Sequence, residues 1–140
     1  MSKENTKKKE KATKQELIQA NNLIEEVSEI LEPCIKCGMC KSNCAVFKAI
    51  REETVSPRGH AILLSNKKLE SSIYDCNLCK ACEVTCPLDL KICDAIKKAR
   101  EALALKKKNT KQNEEMIQNI RETGNPFGNK PPKGDELYCC

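Results

Sequence analysis

Eight of the cysteines in this 140-residue chain fall into two copies of one spacing pattern. The first copy covers residues 34–44 and the second covers residues 76–86, and in both copies two, two and three residues separate successive cysteines. The copies are offset by 42 residues, and Ile50 matches Ile92 at the same offset. This repetition indicates an internal duplication of a metal-binding unit.

The spacing predicts two [4Fe–4S] clusters that share their ligands between the motifs. Three cysteines spaced three apart can be wrapped around three irons of a cubane, and the fourth cysteine of such a run, here Cys86 before Pro87, ligates the other cluster. Ala45 replaces proline after the first run, which changes the chain direction and not the ligation. We therefore expect cluster 1 to be bound by Cys34, Cys37, Cys40 and Cys86, and cluster 2 by Cys76, Cys79, Cys82 and Cys44.

A structural zinc site is the less favoured alternative, because zinc sites usually take two CxxC pairs and have no use for a third cysteine in each run. A zinc-stabilised interaction scaffold would follow from it. Disulfides are disfavoured by the odd count of 11 cysteines and by the lack of an apolar leader after the basic N-terminus. We expect a cytoplasmic protein with no transmembrane segment and with reduced thiols.

The net charge of +5 arises mostly from lysines within residues 1–14, which we expect to form a disordered basic tail. Docking of that tail to an acidic partner is the alternative. Aromatic residues make up only 3% of the chain, and no folded basic face is evident, so nucleic-acid binding is not expected. Because little aromatic core is available, cluster binding is expected to supply much of the folding energy.

Apolar residues recur at helical spacing and predict an all-α fold. Thr13 and Glu16 have capping-box spacing ahead of a helix that Pro33 ends. Ser56 and Pro57 predict the N-cap and first residue of another helix. Two further helices are expected over about 90–107 and 110–123, the last ending at Gly124. The expected inward positions in the first and third of these helices are Leu17, Ala20, Ile24, Val27, Leu31, Ile92, Ile96, Ala99 and Leu103.

These motifs resemble the α-helical ferredoxin family, and in particular the iron–sulfur modules of the C and D subunits of heterodisulfide reductase and of glycolate, lactate and glycerol-3-phosphate oxidases. The resemblance rests on both cysteine motifs, on the Ser-Pro-Arg-Gly segment 56–59, on residues 86–90 and on the Gly-Asn-Pro-Phe-Gly segment 124–128. It predicts an all-α dicluster ferredoxin domain over 15–123, with the clusters between helices, and an extended docking segment over 124–140.

The resemblance implies an electron-transfer subunit with a partner that is a CCG-type cysteine-rich subunit, a flavin-containing subunit or both. Membrane association through such a partner stays open, and a free-standing soluble ferredoxin is the main alternative. No catalytic residue is expected, because eight cysteines for eight irons leave no open iron site for a substrate.

Several other residues have interpretations of their own. Cys93 is expected to be a buried packing thiol, His60 a helix-surface residue, and Cys139 and Cys140 incidental thiols or a redox pair. Phe127 is expected either to pack against the domain or to lie at a docking surface. Positive charge close to a cluster would favour its reduced form, and the candidates are Lys36, Lys41, Lys80 and Arg58, with a solvated helix surface as the alternative for Arg58.

Overall fold

The computed structural model describes residues 12–129, which contain α-helices, short 3₁₀ helices and no strand. The chain divides into two compact units, Met1–Lys108 and Asn109–Cys140. Most of the predicted tail, together with Cys139 and Cys140, lies outside the described residues. No helix within 12–129 is long and apolar enough to cross a membrane. The α-helices are α1 (Lys14–Leu31), α2 (Ala45–Ile50), α3 (Pro57–Ser65), α4 (Ala81–Val84), α5 (Ile92–Leu105) and α6 (Lys111–Thr123), and the 3₁₀ helices are Met39–Lys41, Glu53–Val55 and Ser71–Asp75.

Helix α1 begins with the predicted capping box. The hydroxyl of Thr13 accepts a hydrogen bond from the backbone N–H of Glu16 (3.3 Å), and the Glu16 carboxylate accepts one from the backbone N–H of Thr13 (2.7 Å). These two bonds satisfy donors that have no partner within the helix. The predicted apolar stripe is buried except at its first member, because Leu17 is 41% exposed. The buried residues of α1 are Ala20, Ile24, Val27 and Leu31.

Helices α1 and α5 pack against each other and form the centre of the first unit. Helix α5 contributes small, fully buried side chains to this interface, including Ala95, Ala99 and Ala102. Their small size allows larger side chains of α1 to pack close to the α5 backbone. An ion pair between Lys98 and Glu26 links the same two helices at their surface. The four positions of α5 that the pattern predicted to face inward are buried: Ile92, Ile96, Ala99 and Leu103.

Helix α3 begins at the Ser-Pro-Arg-Gly segment in the predicted way. The hydroxyl of Ser56 accepts the backbone N–H of Gly59 (2.9 Å), and Pro57 occupies the first turn. Gly59 is required for space, since a Cβ atom there would lie 1.8 Å from the backbone oxygen of Glu53. The segment therefore fixes how closely α3 lies against the 3₁₀ helix Glu53–Val55.

Helix α6 belongs to the second unit and ends at Gly124, as the sequence predicted. Gly124 adopts a left-handed conformation (φ 72°), and its N–H donates to the backbone oxygen of Ile120. No residue of α6 is fully buried, and Met116 is 42% exposed. Phe127, for which two interpretations were open, is 55% exposed.

Candidate metal centre

The two cysteine motifs share left-handed backbone conformations at two equivalent positions. Lys36 (φ 58°) and Gly38 (φ 84°) are left-handed in the first loop. Their counterparts 42 residues later, Leu78 (φ 55°) and Lys80 (φ 62°), are left-handed in the second. L-residues other than glycine rarely adopt this conformation, so its recurrence at equivalent positions supports a structural duplication.

These left-handed residues lie between cysteines of each run and turn the loop around its own thiols. The exposed cysteines also correspond, because Cys37 in the first loop and Cys79 in the second both reach the surface. One cysteine sulfur of each motif accepts a backbone N–H at 3.4 Å: Cys44 from Phe47 of α2, and Cys76 from Leu78 of the second loop. Such bonds stabilise negative charge on sulfur.

Two cavities collect the eight cysteines. Cavity 1 encloses about 380 Å³, open mouth included, and cavity 2 about 420 Å³. Each is lined by three cysteines of one motif and by the fourth cysteine of the other motif. The thiols of cavity 1 are Cys34, Cys37, Cys40 and Cys86, and those of cavity 2 include Cys44, Cys76, Cys79 and Cys82.

A hydrogen bond between equivalent residues links the two motifs next to their fourth cysteines. Asn43 precedes Cys44 and Thr85 precedes Cys86, and the Asn43 side-chain amide donates to the Thr85 hydroxyl at 2.8 Å. The two residues are related by the 42-residue offset of the repeat. The bond therefore holds together the two chain segments that carry each fourth cysteine into the opposite cavity.

Cys40 and Cys76 lie in surroundings that disfavour ionisation of their thiols in the absence of a metal. Burial raises the pKa of Cys40, and the neighbouring Cys34, Cys37 and Cys86 raise it further. Burial likewise raises the pKa of Cys76. Because a metal binds the thiolate, loading of these cavities must release protons.

The residues of both cavities fit a polynuclear cluster better than a single ion. Within residues 12–129, no three side chains of cysteine, histidine, aspartate or glutamate converge as one metal ion would require. Four thiols instead surround a volume in each cavity, and all-thiolate donor sets of this kind hold iron–sulfur clusters.

Arg58 lies at cavity 1 and takes part in an ion network, rather than lying on a solvated helix surface. Its Nε is 2.7 Å from Oε1 of Glu53, and Lys41 contacts the other oxygen of that carboxylate. Burial by itself would raise the pKa of Glu53, but hydrogen bonds from Arg58, Lys41 and Ser56 outweigh it and lower the pKa to about 2.

The prediction that His60 lies on a helix surface is wrong. His60 is 1% exposed and lines cavity 2, and its Nε2 is 3.2 Å from the backbone oxygen of Ser72. Burial lowers the pKa of His60, which favours the neutral imidazole. Its spacing of four residues from Leu64, another buried residue of α3, is the sequence signal that could have indicated an inward position.

Arg100, unlike His60, was not singled out from the sequence. Its guanidinium, on α5, donates to the backbone oxygens of Ile73 (3.0 and 3.2 Å), Tyr74 (3.3 Å) and Cys76. It thus closes the end of the 3₁₀ helix Ser71–Asp75 and holds the backbone of the first cysteine in cavity 2.

Similarity to known proteins agrees with this geometry. Residues 30–90 match the family model of the 4Fe-4S dicluster domain. The chain is 30% identical to the glycolate oxidase iron-sulfur subunit of Escherichia coli over 70 residues, which cover 44% of this chain and 17% of that protein. It is also 30% identical to the probable glycolate oxidase iron-sulfur subunit of Bacillus subtilis over 111 residues, which cover 70% of this chain and 25% of that protein.

A third relative comes from an archaeon. Over 94 residues, the chain is 30% identical to the C 2 iron-sulfur subunit of the CoB–CoM heterodisulfide reductase of Methanocaldococcus jannaschii, a match that covers 65% of this chain and 50% of that protein. The chain thus spans half or less of the length of these three relatives. Residues 30–90 of this chain form a 4Fe-4S dicluster domain, whose cofactor is a pair of [4Fe–4S] clusters.

Proposed function

We propose that this chain is an electron-transfer subunit that relays single electrons through two [4Fe–4S] clusters with exchanged ligands. A cluster with four thiolate ligands takes up and releases one electron with little rearrangement. Cluster 1 is bound by Cys34, Cys37, Cys40 and Cys86, and cluster 2 by Cys76, Cys79, Cys82 and Cys44.

The observation that carries this proposal is the lining of the two cavities, each by three cysteines of one motif and one of the other. Filling all four positions with thiolates leaves no iron open to a substrate, which favours electron transfer over catalysis at the cluster. The exposed Cys37 and Cys79 place one cysteine of each cavity at the surface, where electrons can be exchanged with another protein.

The proposed partners are a CCG-type cysteine-rich subunit, a flavin-containing subunit or both. The support is that the similar proteins are named as iron–sulfur subunits, of glycolate oxidase in the bacteria and of heterodisulfide reductase in the archaeon. A cytoplasmic location belongs to the same proposal, because many unpaired thiols are best preserved in a reducing compartment.

Iron and acid-labile sulfide analysis of anaerobically purified protein tests the cofactor assignment. Two cubanes give about eight irons and about eight sulfides per chain. Zinc without labile sulfide would instead support the interaction scaffold and contradict the proposal.

Co-purification from the native cells tests the role as a subunit. A stable complex with a flavoprotein or a CCG-type subunit is expected, together with reduction of both clusters in that complex. A lone monomer that exchanges electrons with several unrelated proteins would instead indicate a free-standing ferredoxin.

A further inference from the structure

The exposed residues that line the two cavities differ in character. Five of the described residues that line cavity 1 are exposed, and we call them rim 1: Ile35, Lys36, Cys37, Pro87 and Leu88. Four of those that line cavity 2 are exposed, and we call them rim 2: Ala45, Asn77, Cys79 and Lys80. Each rim contains one proposed ligand. The buried lining residues, Cys93 of cavity 2 among them, take no part in these surfaces.

The internal repeat allows the two rims to be compared position by position. At the 42-residue offset, Ile35 corresponds to Asn77 and Leu88 corresponds to Val46. Ile35 is 67% exposed and Leu88 is 43% exposed, whereas Val46 is half-buried. Because Asn77 occupies the equivalent position of the second loop, a loop of this kind does not need an apolar side chain there. The exposed isoleucine is therefore not explained by the folding of the loop.

Large apolar side chains reach the surface at rim 1 and not at rim 2. Among the described residues that line either cavity, only Ile35 and Leu88 are large, apolar and exposed. Met39, in the first loop, is 53% exposed, and its counterpart Ala81 is smaller and half-buried. An apolar surface that is present at one site of a duplicated fold and absent from the other is typical of a site that a partner covers.

Rim 1 also carries positive charge, and in the described part of the chain no carboxylate lines cavity 1. Lys36 is exposed and makes no ion pair with another described residue. The ion network of Arg58, which also lines cavity 1, contains two cations and one carboxylate. Asp89 follows Leu88, but its carboxylate is 2.8 Å from Nζ of Lys91. A partner that fits rim 1 therefore presents carboxylates around an apolar patch.

We propose that rim 1 is the docking surface at which this chain exchanges electrons with a redox protein whose cofactor lies under an apolar surface bordered by carboxylates. The inference rests on the proposed function, and it assigns the contact with this partner to cluster 1 rather than to cluster 2. Cys37, a proposed ligand of cluster 1, belongs to the same rim. A small contact of this kind suits the transient encounters of electron-transfer proteins.

Flavodoxin is the probe, because it is an acidic protein that carries the redox cofactor FMN. Its dissociation constant for the anaerobic holoprotein is measured by isothermal titration calorimetry at low and at high salt. Ile35→Asn introduces the residue of the second loop, and we expect it to weaken binding about fivefold or more. Asn77→Ala truncates the equivalent side chain of rim 2 and should leave the dissociation constant unchanged.

A second pair of variants tests the charge of rim 1. Lys36→Asn removes the unpaired cation and keeps a residue type that tolerates the left-handed backbone at this position (φ 58°). It should weaken binding at low salt and reduce the salt dependence of the dissociation constant, because one attractive charge fewer is screened. Lys68→Gln is the control, since Lys68 is exposed and lines neither cavity. Equal effects of the two lysine variants would overturn the inference, because net charge alone would then explain binding.

Iron content, sulfide content and the midpoint potentials of both clusters are measured for each variant, so that loss of a cluster is not mistaken for loss of docking. Should Ile35→Asn not assemble, Leu88→Ala takes its place at the same rim. Absence of flavodoxin binding to the wild type, an unchanged dissociation constant for the rim 1 variant, or equal weakening by Asn77→Ala would each overturn the inference. So would a dimer, seen by sedimentation of the wild type, that the rim 1 variant dissociates, because rim 1 would then bind a second copy of this chain.

The cluster analysis also separates failure of this inference from failure of the proposed function. Fewer than two clusters in the wild-type protein would contradict the proposed function. Two clusters, together with flavodoxin binding that the rim 1 variants leave unchanged, would contradict only the docking surface.

Discussion

At the scale of single residues, Glu53 is the anion that organises the charges around cavity 1. Its carboxylate contacts Arg58 at 2.7 Å and also contacts Lys41, and the side-chain hydroxyl of Ser56 donates to it at 3.1 Å. The carboxylate thus offsets two cations that would otherwise act on the neighbouring thiolates. It also fixes the direction of the Arg58 side chain towards cavity 1.

The network predicts a dependence of stability on pH. The pKa of Glu53 falls from 4.5 to about 2 on folding. The carboxylate therefore contributes its full stabilisation above pH 4.5, and this stabilisation is lost as the pH falls towards 2. Because Glu53 is 41% exposed, we expect Glu53→Gln to cost at most about 1 kcal/mol near neutral pH. The difference from the wild type should narrow below pH 4.5.

Anaerobic guanidinium unfolding followed by circular dichroism at several pH values measures this difference. Glu52→Gln is the matched control, because it removes the same charge from an exposed neighbouring residue. A difference for Glu53→Gln that stays constant over the acid range would contradict the prediction.

At the scale of elements, the sequence was informative where structure depends on local signals. The capping box of Thr13, the Ser56 cap and the Gly124 end each depend on residues within a few positions, and all three were predicted. The hydrogen bonds of His60 and Arg100 were not predicted, because their backbone partners, Ser72 and Ile73, lie 12 and 27 residues away. The ligand exchange was predicted from spacing and stays a proposal, although each cavity collects the expected thiols.

The proposed exchange of ligands predicts that mutation of the fourth cysteine in one motif damages the cluster that the other motif surrounds. Cys44→Ser should perturb cluster 2, which the second motif surrounds, because Cys44 lines cavity 2. Cys86→Ser, its counterpart in the repeat, should perturb cluster 1. EPR of both reduced variants tests the pairing, and damage confined to the cluster of the mutated motif would refute it.

The hydrogen bonds of Arg100 predict that loss of its side chain destabilises the second loop selectively. Arg100→Ala removes charged donors from three backbone oxygens, and about 1.5–3 kcal/mol of stability is expected to be lost. Arg100→Lys should recover only part, because an ammonium group lacks the planar fork of guanidinium. Cluster 2 should be lost before cluster 1, since the Cys76 backbone is one of the groups held.

Chemical unfolding and iron content of the purified variants test this effect. Lys97→Ala is the control on the exposed side of α5, where Lys97 makes only a surface ion pair with Asp94 at 3.2 Å. A change within about 0.5 kcal/mol is expected for it. Equal loss of both clusters in Arg100→Ala would contradict the proposed selectivity.

At the scale of the whole molecule, the apolar core and the two cavities are parts of one body. The core cluster of the first unit includes Leu31, Leu64 and Ile96, and Cys34, Cys40, Cys76 and Cys86 pack against it. Aromatic residues make up only 3% of the sequence, so we expect metal–thiolate bonds to substitute for burial that the core does not supply. Loading of the cavities is therefore expected to be coupled to folding.

Removal of iron is expected to unfold much of the first unit. Anaerobic chelation should reduce helicity and abolish the cooperative melting transition, because the loops and α4 would lose the bonds that close them. Circular dichroism before and after chelation measures both effects. Unchanged helicity and an unchanged melting temperature would show that the helices fold without the clusters.

The mixed lining of the two cavities also has a consequence for how the protein is made. During synthesis the first motif is complete once residue 44 has been added, yet cavity 1 still lacks Cys86 and cavity 2 lacks Cys76, Cys79 and Cys82. Both sets of four thiols become complete within four residues of each other, at residues 82 and 86. With the ligand exchange proposed above, a growing chain cannot complete the thiols of either cluster before residue 82, so iron–sulfur assembly factors would meet both motifs together.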